Sequence, residues 1–321
     1  MGMRAVFADP KSDLVFKRVF GSEASKPVLM ALLNDLLELP ASRRIVALEY
    51  TSGEQVPPLD LLKRSIVDVK CLDASGTRYL VEMQVLNVEG FEKRLIYNAC
   101  RAYTGQLLTG ENYPTLNDVV AIAICDFELW PERGAAASVP MLSRFQMREV
   151  HSGAEAFQQM RLVVLELPKY RGGDEPRTAA DRWAYFFRAT SRLSNIPSAL
   201  SESPFSEALE RARTSAFSAA EFEAYEREKM AEQDLRGAFQ LATRVAGVEG
   251  EARGEARGEA RGRADATRAN LLAVAAGLGV TLSETERAEL DTVTDADTLA
   301  EILRVLLSDR VVRIPASVED A

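Results

Sequence analysis

The chain has 321 residues, 47% of them hydrophobic, and a net charge of −9 from 39 Lys/Arg against 48 Asp/Glu. That is enough apolar content for one large core, or for a main domain with an appendage. No apolar run approaches the roughly 18 residues of a membrane span, and with no secretory signal at the start the expected compartment is the cytoplasm.

The single histidine, His151, and three cysteines without a CxxC (Cys71, Cys100, Cys125) exclude histidine-based zinc clusters. They also argue against a Ser-His-Asp or Cys-His site, so His151 reads as a loop or surface residue. The acidic balance is uneven. Residues 1–110 hold 14 Lys/Arg and 13 Asp/Glu, so the excess negative charge lies beyond them. A phosphate-binding surface is compatible with the first part, although no basic domain is visible.

In chain order, "SDLVFKRVFG" predicts a helix with Ser12 as N-cap and Phe16 and Phe20 at helical spacing. "PVLMALLNDLLEL" predicts a second, apolar helix ending before Pro40, "RIVALEYTS" a strand, and "VPPL" a break. Ser65–Leu72 and Arg78–Leu86 then read as two strands joined by turn chemistry, "DASG". A three-residue loop, Ala74-Ser75-Gly76, puts Gly76 in the left-handed position such loops favour. Asp73 then pairs with Thr77, Lys70 lies opposite Leu80, and Asp68 lies opposite Glu82. A loop one residue longer would send Asp68 to the other face.

In that register two carboxylates face each other with Cβ atoms about 4.5–5.5 Å apart. Like charges so placed need an offset. Either the face is solvated with Lys70 nearby, or a bound cation sits between the acids. Mg2+ is commonly held by one or two carboxylates together with phosphate oxygens.

Beyond the hairpin, "FEKRLIYNACRAYTGQLLTG" predicts a long helix closed by Gly110. Residues 118–129 form a near-continuous apolar run, the mark of a strand covered on both faces. "RLVVLELPKY" (161–170) predicts another strand, stopped by Pro168. Strands alternating with helices imply an α/β layer architecture. Residues 176–245 read as helical, with Trp183 and Phe187 in the core.

Residues 251–262 repeat "EARG" three times. In a helix this gives four stripes, with Glu and Arg on opposite faces and every i,i+4 pair within the repeat like-charged. The glycines each cost about 1 kcal/mol relative to Ala. The segment is expected to be a helical spacer, or a rod whose Glu face meets another chain's Arg face. In the tail, "SETE" (283–286) fits a capping box and "TDADTLAEILRVLLS" a further helix. The expected organisation is a core at 10–175, a helical part packed on it at 176–247, a spacer at 248–265, a small helical unit at 266–310 and a tail at 311–321.

Set in order, "DLVFKRVFG", "LLND", "KRSIVDVKCLDASGTRYLVEMQ", "RLIYNACRAYTGQLLTGENY", "LELPKY" and the Gly-punctuated charged tail resemble the Rpn-type recombination-promoting nucleases. These are putative transposases of the PD-(D/E)XK nuclease superfamily, and the resemblance spans residues 12–262. It implies a restriction-endonuclease-like mixed sheet flanked by helices, with metal-binding acids on a central hairpin. It further implies a DNA endonuclease using Mg2+ or another divalent cation, active in DNA recombination or in mobile-element or defence biology. The alternative is a weak or inactive nuclease fold that binds DNA or a protein.

Carried over by position, Asp68 and Glu82 would be metal ligands, and Gln84 would stand where the superfamily usually has Lys. A neutral amide can orient water but cannot add charge; Lys70, on the same face, would partly replace that charge. Asp13 matches the first-helix acid, or is simply a helix-start residue. Lys63, Arg94 and Tyr97 are candidates for DNA phosphate contact, or ordinary fold and surface residues, and Lys17 belongs to the fold. A homo-oligomer through the helical C-terminal region is the expected partner besides DNA.

Overall fold

The computed structural model describes residues 5–51, 54–55, 65–66, 68–107, 110, 112–131, 139–309 and 312. The helices and strands divide into two compact units, residues 1–234 and 235–321.

In the first unit, α1 (Asp13–Phe20) starts at Ser12, whose hydroxyl accepts from the Val15 amide at 3.3 Å, as the sequence predicts. Helix α2 (Lys26–Leu37) ends where Glu38 turns left-handed, two residues before Pro40. The strand expected at "RIVALEYTS" is shorter than its apolar pattern suggests: β1 is only Leu48–Tyr50. Two-residue strands β2 (Glu54–Gln55) and β3 (Ser65–Ile66) pair with each other.

The hairpin follows as β4 (Val69–Asp73) and β5 (Arg78–Gln84). Its register is the one the turn residues dictate. Lys70 pairs with Leu80 and Val69 with Val81, and the Asp73 amide donates to Thr77 at 3.1 Å. Gly76 has φ +84°, and a Cβ there would lie 2.8 Å from the Asn117 side-chain oxygen, so both conformation and space require glycine.

Helix α3 (Phe91–Thr104) stops at Gly105 and not at Gly110. The reason is tertiary. The Gln106 side chain turns to bond Asn117, accepting from its amide at 3.0 Å and donating to its carbonyl at 2.9 Å. This ties the helix exit to the start of β6 (Val119–Cys125). That strand is buried over all seven residues and ends short of the expected 129; the Asp126 amide, donating to the Gln84 carbonyl at 2.9 Å, makes the last rung with β5. Strands β7 (Leu142–Phe145) and β8 (Met160–Glu166) complete a six-stranded mixed sheet in the order β1-β4-β5-β6-β8-β7. The β5–β6 and β6–β8 pairs are parallel and the other three antiparallel. Strand β7 has no counterpart in the sequence reading.

Alternation along the strands splits the core in two. Val81, Val120, Ile122 and Val163 face α1, α2, α4 (Ala179–Ala189) and α5 (Phe205–Ala212). There Phe16, Phe20, Trp183, Phe186, Phe187 and Phe205 form a connected aromatic cluster, which makes Trp183 and Phe187 core residues as expected. The opposite faces, with Leu80, Ala121 and Ala123, pack on Phe91, Leu95 and Ala99 of α3.

Helix α6 (Ala219–Gly277) is continuous through all three "EARG" repeats. In the second unit, Leu271, Ala275, Leu290, Leu299, Ile302 and Leu306 bury one another between the end of α6, α7 (Glu284–Thr292) and α8 (Ala296–Asp309). Ser283 and Glu286 form the capping box the sequence predicts. Among the described residues no helix is long and apolar enough to cross a membrane. His151 lies exposed beside Glu149.

Candidate functional site

The C-terminal ends of parallel strands are where open α/β sheets place their chemistry. At the end of β5, Leu80, Glu82 and Gln84 point to the α3 side. Leu80 fills the core there, so the next residue on that face, Glu82, is carried inside with it and is only 6% exposed.

Asp68 lies in a bend immediately before β4, one step beyond the Val69–Val81 pair, and acts electrostatically on Glu82, the residue after Val81. Its Oδ2 accepts from the Met83 amide at 2.7 Å, taking the place of a backbone acceptor where the ladder ends. Glu82 Oε1 accepts from Asn98 Nδ2 at 2.5 Å. Its other oxygen, Oε2, is buried with no hydrogen-bond partner among the described residues.

The electrostatics point the same way. Burial pushes Asp68 up to about 6, the Met83 amide opposing it and the Asp13 carboxylate adding to it, while Lys17 and Arg94 pull it down. Glu82 is also raised by burial, with Arg94 and Asn98 opposing and Asp68 adding. Two neighbouring acids thus hold protons more tightly than usual because burial outweighs the positive charge and hydrogen bonds near them.

Glu166, at the end of β8, shows what a satisfied buried glutamate looks like in this fold. It receives the Leu129 and Trp130 amides at 2.5 and 3.0 Å and Lys169 Nζ at 2.7 Å. Lys169 in turn donates to the Val139 carbonyl at 2.8 Å. Glu166 and Lys169 are complete without a ligand. Glu82 is not.

Gln84 is engaged at both ends of its amide, Oε1 by Arg94 Nη2 and Nε2 by the Leu86 carbonyl at 2.7 Å. Arg94 acts electrostatically on both Asp68 and Glu82. Among the described residues it is the cation that acts on both acids, with Lys17 acting on Asp68 alone. Lys70 lies on the hairpin face expected of it, and burial lowers its pKa, with the Arg78 and Arg101 charges adding to the effect. Asp13 is half exposed and pairs with Lys17 at 2.7 Å. Tyr97 is partly exposed on α3, with the Arg101 guanidinium 6.0 Å from its ring. Lys63 lies outside the described residues.

Several residues here escape sequence reasoning. Asn98 follows Arg94 by four positions and so shares its helix face, a spacing that offers the one available signal. Glu228 of α6 reaches the start of α1, accepting from the Asp13 amide and from Leu14 at 3.2 Å. Lys11 bridges to Asp126, just past β6, at 2.9 Å.

A divalent cation fits these residues. Asp68 and Glu82 are adjacent, hard oxygen donors, one oxygen is orphaned, and both acids have raised proton affinity. Among the described residues no group of three or more His, Cys, Asp or Glu forms a closed metal cluster. Two carboxylates leave positions for water and phosphate oxygens, the pattern typical of Mg2+.

The family model described as PD-(D/E)XK nuclease family transposase matches residues 10–242, more than half of the chain. No curated protein and no solved structure matches it significantly.

Proposed function

The chain belongs to the PD-(D/E)XK nuclease family of transposases, and on that premise we propose that it is a Mg2+-dependent DNA endonuclease hydrolysing phosphodiester bonds. The observation that carries this reading is the orphaned Glu82 Oε2 beside Asp68. Asp68 and Glu82 would hold the ion. When bound, it lowers the pKa of a water and offsets charge on the scissile phosphate.

The chain's own residues do the positioning. Asn98 fixes the Glu82 carboxylate through one oxygen and leaves the other for the ion. Gln84 orients the attacking water by hydrogen bonding, and Arg94, held against it, supplies the positive charge that a Lys at this position would bring. Arg94 and Tyr97 face outward on α3 toward the substrate backbone, and Lys63 joins this set on sequence grounds. Asp13 supports Asp68 through water, with its own charge balanced by Lys17. Lys70, grouped with Arg78 and Arg101, attracts phosphate and does not serve the acids directly. The Rpn-type assignment and a role in recombination rest on Gln84 and the motif order.

One observation favours a second reading, a nuclease fold retained for binding: each end of the Gln84 amide already holds a protein partner, so only its second N–H and second lone pair remain for water.

Supercoiled plasmid with Mg2+ separates the two. Cutting by the wild type that is lost with EDTA and in both Asp68→Ala and Glu82→Ala supports the enzyme. Binding without cutting, in folded protein, supports the second reading. Equal cutting by all three proteins rules out this site.

A further inference from the structure

Helix α6 carries an apolar face that stands exposed among the described residues. Leu235, Phe239, Leu241, Val245 and Val248 are 57, 53, 52, 48 and 62% exposed. At 100° per residue they fall in one half of the helix circumference, together with Ala238, Ala242, Ala252, Ala256 and Ala260. Isolated exposed apolar residues need no explanation; a stripe of them with Glu249 as its one charged member before the repeat does.

The "EARG" repeat continues this stripe with small residues and edges it with charge. Around the helix the order is Glu, Ala, Arg, Gly at 100° steps, so Ala252, Ala256 and Ala260 have Glu251, Glu255 and Glu259 on one side and Arg253, Arg257 and Arg261 on the other. The glycines lie on the far side, and a Cβ at Gly254, Gly258 or Gly262 would meet nothing within 4 Å. Among the described residues Glu251, Glu255, Glu259 and Arg257 have no ion-pair partner in this chain; Arg253 pairs outside the repeat, with Glu249 at 3.2 Å.

We propose that residues 235–262 of α6 pair in parallel with the same segment of a second copy through the apolar and alanine face. Symmetry sets the direction. In a parallel pair the two-fold axis runs along the helices and carries the Glu side of one onto the side opposite the Arg side of the other. Every flanking Glu then meets an Arg. In an antiparallel pair the axis crosses the helices, so Glu meets Glu and Arg meets Arg along both edges. Alanine at the seam allows the backbones to approach closely. This inference is independent of the nuclease chemistry.

The test uses the full chain carrying Cys100→Ser, which removes the one exposed cysteine. Sedimentation equilibrium is expected to show a concentration-dependent monomer–dimer equilibrium, and a monomer at all concentrations overturns the proposal. Val245→Cys and Ala260→Cys, about 22 Å apart along the helix, are each expected to form a disulfide with their own copy on mild oxidation. An antiparallel pair permits this at one position at most, so cross-linking at only one overturns the parallel arrangement. Replacing Glu251, Glu255 and Glu259 by Arg should raise the dissociation constant about tenfold or more, and replacing Arg253, Arg257 and Arg261 by Glu in the same chain should restore it. An unchanged constant overturns the charge rule. Ala at Gly254, Gly258 and Gly262 is expected to leave the dimer intact, and dissociation there contradicts the assigned seam.

Discussion

Asn98 donates to one oxygen of Glu82 at 2.5 Å and leaves the other buried and unpartnered. The pairing turns a flexible acid into a fixed donor. Asn98→Ala should strand both Glu82 oxygens, costing about 1–3 kcal/mol of stability and lowering divalent-ion affinity about 10–100-fold. Thermal unfolding with and without Mn2+ checks both. Unchanged stability and affinity would show that Asn98 does not hold Glu82.

Gln84 and Arg94 predict an inverted outcome for an apparent repair. Gln84→Lys restores the superfamily's usual residue but sets an ammonium against the Arg94 guanidinium. Like charges about 4 Å apart repel by roughly 1–4 kcal/mol between bulk water and a protein surface. Plasmid cleavage should therefore fall about tenfold or more, and Arg94→Ala in the same chain should recover part of it. A single variant faster than wild type would mean that Arg94 is not the site's cation.

Asp9 gives a pH signature away from the acids proposed as ligands. Burial raises its pKa, with Lys11 opposing and Asp126 and Glu232 adding. A raised carboxyl pKa favours the folded state below the ordinary value of about 3.9, and that advantage is lost as pH rises through the folded value. Asp9→Asn keeps the acceptor for the Lys11 amide and escapes the loss. The stability of Asp9→Asn relative to wild type, read from urea midpoints, should rise with pH in the window just above 3.9 and then level off. A difference that shrinks with pH would contradict the assigned shift.

How much of this could be read from the sequence depends on which residues carry the signal. The hairpin register was legible because Gly76 fixes the turn locally, and the turn fixes which side chains oppose. The burial of 119–125 was legible because a strand covered on both faces needs no alternation. The end of α3 was not, since Gln106 bonding Asn117 is a contact made after folding. Nor was β7, an edge strand of four residues whose polar Ser143 and Arg144 interrupt the apolar pattern. At the site, the acids could be placed from register, but the surroundings of Glu82 could not. Asn98 comes from α3, and Glu228 of α6, which accepts from the Asp13 amide at the start of α1, lies 215 positions beyond Asp13 in the chain. Lys70 was assigned by face alone; that Arg78 of β5 and Arg101 of α3 are among its charged neighbours depends on the fold.

The central claim is that Asp68 and Glu82 share one divalent cation, and Mn2+ binding tests it without needing the right DNA. Paramagnetic resonance titration of wild type, Asp68→Ala and Glu82→Ala, with folding checked by circular dichroism, gives the answer. The account predicts one saturable site in the wild type that is lost or severely weakened in both variants. Wild-type affinity retained in both folded variants would contradict it.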